Sequence, residues 1–164
     1  MRKKNSMCEF WIEFSIPDIR KLRNDYKQTE EFLLSELPDI NWNSRLEILN
    51  LFEYEYGIII SSLRISYLEN IETSNEETRE IIETYLKLLK IKYETKNYID
   101  CILRHEADGI VYLRKHHDKI VMPNKQPLPY SPNILECIKE TNVPELQQKL
   151  AKERKEWEQQ HKGL

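Results

Sequence analysis

Glycine is nearly missing from this chain. Among 164 residues there are three, Gly57, Gly109 and Gly163. A P-loop, a dinucleotide-binding fingerprint and a nucleophile elbow each need glycine at several positions, for close backbone approach or positive φ. Three scattered glycines exclude all of these. They also argue against a sheet-rich fold with many tight turns. Alanine is scarcer still, at Ala107 and Ala151. Cysteine is sparse and odd in number, with Cys8, Cys101 and Cys137 far apart. Such a set is neither a disulfide framework nor a Cys-x-x-Cys metal site, and reads as free thiols in a reducing compartment. No apolar run approaches the ~18 residues of a membrane span. Met1-Arg2-Lys3-Lys4 has the charge of a signal-peptide leader, but Glu9 and Glu13 interrupt the apolar stretch that would have to follow. A cytosolic location is expected.

What is present is charge, unevenly spread. The chain is 40% apolar and 32% charged, which suits a globular domain rather than a disordered one. Its length suits a single domain over 1–164 with a real core. The net charge is only −3, yet residues 28–84 hold thirteen Asp/Glu against three Lys/Arg, a local −10. The first 27 residues are +3 and residues 85–164 are +4. An acidic middle between mildly basic ends points to a surface that meets a basic partner.

The periodicity predicts an all-α fold, mainly a helical bundle. Residues 8–15 alternate loosely, as a short strand or as part of an extended N-terminal arm over 1–15. Ser15 and Pro17 then mark a helix start, with Ile19, Leu22, Tyr26, Leu33 and Leu37 at helical spacing and Pro38 as its end. Ser44 and Glu47 match a capping box, and a long helix to about Asn70 is expected. Its apolar residues run round most of the circumference, which places it centrally. The β-branched run Ile58–Ile60 leaves a strand open there. Ser74 and Glu77 form a second capping box, opening a helix that continues to about Asp108 with an interruption near Asn97. Residues 109–122 fit a helix, with Tyr98, Ile102, Gly109, Leu113, His116 and Ile120 on one stripe. They also fit a small hairpin, which keeps an α+β alternative open at about 110–122. The helical flanks favour the helix. The prolines of 123–133 predict a loop or a short polyproline segment. Ser131-Pro132 starts a helix to Thr141. Pro144 starts a last one, with Leu146, Leu150 and Trp157 on a narrow stripe.

Chemistry-bearing residues are few. His117-Asp118 resembles the doublet of the HD superfamily of helical metal phosphohydrolases. That resemblance implies a metal held together with an earlier His and a later Asp. His105 lies twelve residues before His117 and no Asp follows Asp118, so the ligand set is incomplete. Arg154 and His161, with KEWEQQ between them, are similar to the Arg–x4–6–His signature of HEPN-type ribonucleases. There His and Arg act on a scissile phosphate as acid–base and charge stabiliser. Cys101 and His105 are one helical turn apart, but a Cys–His nucleophile also needs an oxyanion site that one helix face does not supply. Glu106 and Asp108 beside His105 read more simply as solvated helix-end charges than as a metal cluster. No catalytic, cofactor-binding or metal residue is assigned, and no cofactor is expected.

The acidic block carries the functional expectation. Phe52-Glu-Tyr-Glu-Tyr56 interleaves aromatics with carboxylates, a pattern that gives an interface both buried area and steering. The same tyrosines also fit a core. The expected partner-binding residues are Glu53, Tyr54, Glu55, Tyr56, Glu69, Glu72, Glu76, Glu77 and Glu80. The expected partner is a basic protein, for instance a nuclease toxin, neutralised by an inhibitor or immunity-type protein. A small helical enzyme and a homo-oligomeric adaptor are the alternatives. The basic ends are too diluted by acids to indicate nucleic acid, and no membrane is implied.

Overall fold

The computed structural model describes residues 9–161 and, for His161, only its place in a helix. In chain order the elements are β1 (Trp11–Phe14), α1 (Ile16–Glu36), α2 (Arg45–Asn50), α3 (Ile65–Leu68), α4 (Glu76–Glu94), α5 (Asp100–His105), β2 (Ile110–Tyr112), β3 (Arg114–His116), β4 (Lys119–Val121), α6 (Pro132–Leu135), β5 (Ile138–Thr141) and α7 (Pro144–His161). Leu51–Glu55 and Thr95–Ile99 are π-helical turns. Of the described residues 58% are helical and 12% lie in two antiparallel sheets, so the fold is mixed α and β rather than all-α. Residues 110–121 form strands where the favoured expectation was a helix; the hairpin alternative had left room for them.

The chain divides into two compact units. The helical unit is Asp25–Glu94, and the sheet unit takes the chain up to Asn24 and from Thr95 onward.

In the sheet unit, β1 is the centre of a sheet ordered β2-β1-β5. Ile12 faces Val111 on one side and Thr141 on the other, and Phe14 faces Ile138 beyond a bulge. Strand residues alternate between faces, so Ile12, Phe14, Val111, Ile138 and Thr141 share the buried one. The buried Thr141 hydroxyl donates to the Trp11 carbonyl at 2.8 Å and accepts from the Val143 amide at 3.1 Å. A buried hydroxyl satisfied twice is no liability. β1 is the described strand of the expected arm; residues 1–8 of that arm lie outside the described set.

Two turns explain why the helix does not continue past α5. Asp108 and Gly109 both have positive φ, 55° and 83°, and Ala107 and Ile110 exchange both backbone hydrogen bonds across them. Positive φ at both central residues is what a type I′ hairpin turn demands, and Asp-Gly is its strongest short signal. A Cβ on Gly109 would lie 2.9 Å from the Phe14 carbonyl oxygen, so glycine is required twice over. The second turn is His117-Asp118, with φ 49° and 63°, closing the β3–β4 hairpin. The helix expected from Ser131 to Thr141 also shortens. It stops at Leu135, because Ile138–Thr141 leaves to pair with β1. The proline-rich stretch is loop up to Ser131.

In the helical unit, Leu33, Leu37, Trp42, Ile48, Phe52, Leu68, Ile82, Tyr85 and Leu88 form one buried cluster. The Trp42 ring lies 5.0 Å from that of Tyr85, and its indole N–H donates to the Pro38 carbonyl. α1 starts after Ser15 and ends before Pro38, as its spacing predicts. Ser44 caps α2, its hydroxyl accepting from the Glu47 amide at 3.3 Å. The long helix to Asn70 is not formed. Its last turn widens into the π-turn, Gly57 takes φ +67°, and the Ile58 amide returns to the Phe52 carbonyl. A left-handed glycine is the usual helix terminator. From Gly57 to Arg64 the chain then has no regular secondary structure. The cap of α4 is Asn75 rather than Ser74. Its side-chain oxygen accepts from the Thr78 amide at 3.1 Å, and the helix begins at Glu76.

Candidate interaction surface

Charge divides along the same line as structure. The helical unit holds fifteen Asp/Glu and seven Lys/Arg, a net −8; the sheet unit holds thirteen and eighteen, a net +5. All nine expected partner-binding residues lie in the helical unit.

Glu53, Tyr54 and Glu55 are exposed on the π-turn, held there because Phe52 and Ile48 anchor the other side in the core. Tyr54 is 77% exposed, which settles it as surface rather than core. Tyr56 is half-buried, its ring 6.2 Å from that of Phe52. Burial raises the Tyr56 hydroxyl above its ordinary pKa, and the charges of Glu77 and Glu55 add to that. The fold thus brings Glu77, from the first turn of α4, near the π-turn. Glu76 and Glu80 are exposed on the same end of α4. Asp and Glu in a first turn also favour the helix itself. Glu69 pairs with Lys90 at 3.1 Å, both roughly half-exposed, so part of its field is spent locally. Such exposed pairs contribute little to stability.

Glu72 lies on the wall of two shallow grooves that share it and Ile71. The larger, about 620 Å³, is lined by Ile58, Ile59, Tyr67 and Ile71, with Arg64 on its wall. Ile59 is 76% exposed. The Tyr67 hydroxyl accepts from the Ser61 amide at 3.3 Å, and hydrogen bonding with Ser61 lowers its pKa. The smaller groove, about 320 Å³, runs over Leu68, Ile82 and Leu86. Sequence reasoning missed these grooves. The signal was there: an isoleucine run straight after a glycine, of which a helix-terminating Gly57 leaves Ile59 exposed.

The other candidates do not assemble. His117 and Asp118 are exposed turn residues, and His105 ends α5. Among the described residues no three His, Cys, Asp or Glu side chains are grouped to hold a metal ion. Cys101 is buried while His105 is exposed. Burial raises the Cys101 thiol pKa against the smaller opposing effects of the Asn124 backbone and Arg104, so it is held as the unreactive thiol. Cys137, also buried, is pushed up to about 11. The Glu106 carboxylate accepts from the Gly109 amide at 2.9 Å and braces the Asp-Gly turn. Arg154 is exposed on α7, and the side chain of His161 lies outside the described set. No described helix is long and apolar enough to cross a membrane.

Compared with family models, curated proteins and solved structures, the chain matches none.

Proposed function

We propose that the chain is a protein-binding module of inhibitor or immunity type, acting in the cytosol. Its acidic helical unit engages a basic protein partner, such as a nuclease toxin domain, and neutralises it. The observation that carries this reading is the net −8 concentrated in Asp25–Glu94, with Glu53, Glu55, Glu72, Glu76, Glu77 and Glu80 exposed on it. Like-signed charge on one compact unit attracts an oppositely charged surface and speeds encounter. Exposed tyrosine such as Tyr54 supplies the large, amphipathic contact that interfaces favour. For the enzymatic alternative, His117 sits in a turn and His105 at a helix end with no metal-holding group among the described residues, and the side chain of His161 lies outside the described set.

The test is to isolate the chain from its native host at low ionic strength and identify what co-purifies. A basic polypeptide released by added salt, whose activity the chain suppresses, is the expected result. Association that ignores salt, or a partner that is acidic, removes the acidic unit from the account.

A further inference from the structure

We propose that the groove lined by Ile58, Ile59, Tyr67 and Ile71 seats apolar side chains of a cationic amphipathic segment of the partner protein. The segment's lysines or arginines lie against Glu72 and the acidic surface beyond it. This rests on the reading that the acidic unit faces a basic protein, and it names where and how.

Gly57 sets the course of the chain along the groove. Because Gly57 ends the helix in a left-handed conformation, the next residues run in irregular backbone. Ile60 turns inward and is 5% exposed, whereas Ile59 stands out at 76%. Tyr67 and Ile71 join it on a lining whose polar members are Ser62, Ser66 and Asn70 together with the charged Arg64 and Glu72. An apolar patch rimmed by polar groups is characteristic of an interaction site. The volume, about 620 Å³, falls within the ~300–1,000 Å³ of ligand sites, room for several side chains rather than one. Charge then selects the occupant. The unit is −8, so a second copy presenting the same face meets like charge, while a cationic segment is attracted. The groove wall carries Arg64 as well as Glu72. One cation and one carboxylate on the lining give the site a direction, with Arg64 placed to meet an acidic group or a carboxyl terminus on the segment.

Two fluorescent peptides test this on the full chain at low salt. One is a short amphipathic leucine–lysine peptide. The other has the same lysines with serine in place of leucine. The leucine peptide is expected to bind about tenfold tighter or more. Ile59→Asp should abolish that advantage without moving the thermal midpoint, because Ile59 is exposed. Glu72→Lys should weaken both peptides. Equal binding of the two peptides, or an Ile59→Asp variant that binds as the parent does, overturns the groove while leaving the acidic-surface reading intact. Failure of both peptides to bind overturns both. Sedimentation without peptide guards the choice of occupant. If the chain dimerises and Ile59→Asp makes it monomeric, the groove belongs to a second copy and the proposal is overturned.

Discussion

The two units stop and turn their segments with the same device, a residue at positive φ, to opposite effect. In the helical unit Gly57 ends a helix, with open space where its side chain would be, and of the three isoleucines that follow Ile59 alone is exposed while Ile58 and Ile60 pack on the core. In the sheet unit Asp108-Gly109 and His117-Asp118 return the chain into strands, and Gly109 is wedged against the Phe14 carbonyl. The helical unit is organised by local periodicity, and its exposed face is left to carbon-rich side chains and carboxylates. The sheet unit is organised by pairings between distant segments, and His117-Asp118, which resembles a catalytic doublet in sequence, serves there as a hairpin turn. A motif's residue types thus mean different things according to which of these two regimes holds them.

The largest contrast lies between the two glycines. Gly109→Ala forces a Cβ to 2.9 Å from a backbone oxygen at φ +83°, and is expected to cost about 3 kcal/mol or more. Gly57→Ala meets nothing within 4 Å and should cost only the left-handed penalty, about 1 kcal/mol. Urea titrations of both variants check this; equal losses would erase the distinction between a packed turn and an open terminator. A smaller effect sharpens the helical side. Asn75→Ala should cost about 1 kcal/mol as a lost cap, and Ser74→Ala close to nothing. The reverse order would restore the capping box that the sequence suggests. The smallest effect is in the hairpin. Asp118→Gly relieves a left-handed aspartate at φ 63° and should stabilise by roughly 0.5 kcal/mol, read as a raised thermal midpoint. A loss of stability there would mean that the carboxylate has a role beyond the turn.

Much of the helical unit was legible in the chain. The Pro38 stop ends α1, whose Pro17 start lies in the sheet unit, Ser44 caps α2, and the acidic block at 28–84 falls within Asp25–Glu94. Those signals are local, so a single sequence carries them. The sheet was not legible for the opposite reason. β1 meets β5 across 130 residues, and each strand is three or four residues long, too short to distinguish alternation from a helical stripe. The Asp-Gly dipeptide was a readable hairpin signal, outweighed by helical spacing on either side of it. The exposed groove depended on knowing that Gly57 terminates a helix rather than being tolerated inside one. Tyr54 and Tyr56 could not be sorted into surface and core until the π-turn rotated one outward and set the other against Phe52.

If the acidic unit binds a basic partner as proposed, the location of its charge, rather than the net charge of the chain, is expected to drive association. Stopped-flow association with the leucine–lysine peptide tests it most directly. The parent is compared with Glu72→Lys/Glu76→Lys/Glu77→Lys, and with Lys115→Glu/Lys119→Glu on the exposed hairpin of the sheet unit. Exposed charges are screened within about 8 Å at physiological salt and reach roughly 30 Å at 0.01 M. The account predicts that the triple Glu→Lys variant slows association by about tenfold at low salt, an effect that shrinks as salt is added, while the hairpin variant associates like the parent at physiological salt. If the hairpin variant instead accelerates association at physiological salt in proportion to its added negative charge, or the triple variant leaves the rate unchanged, net charge or an uncharged surface governs binding and the account is contradicted.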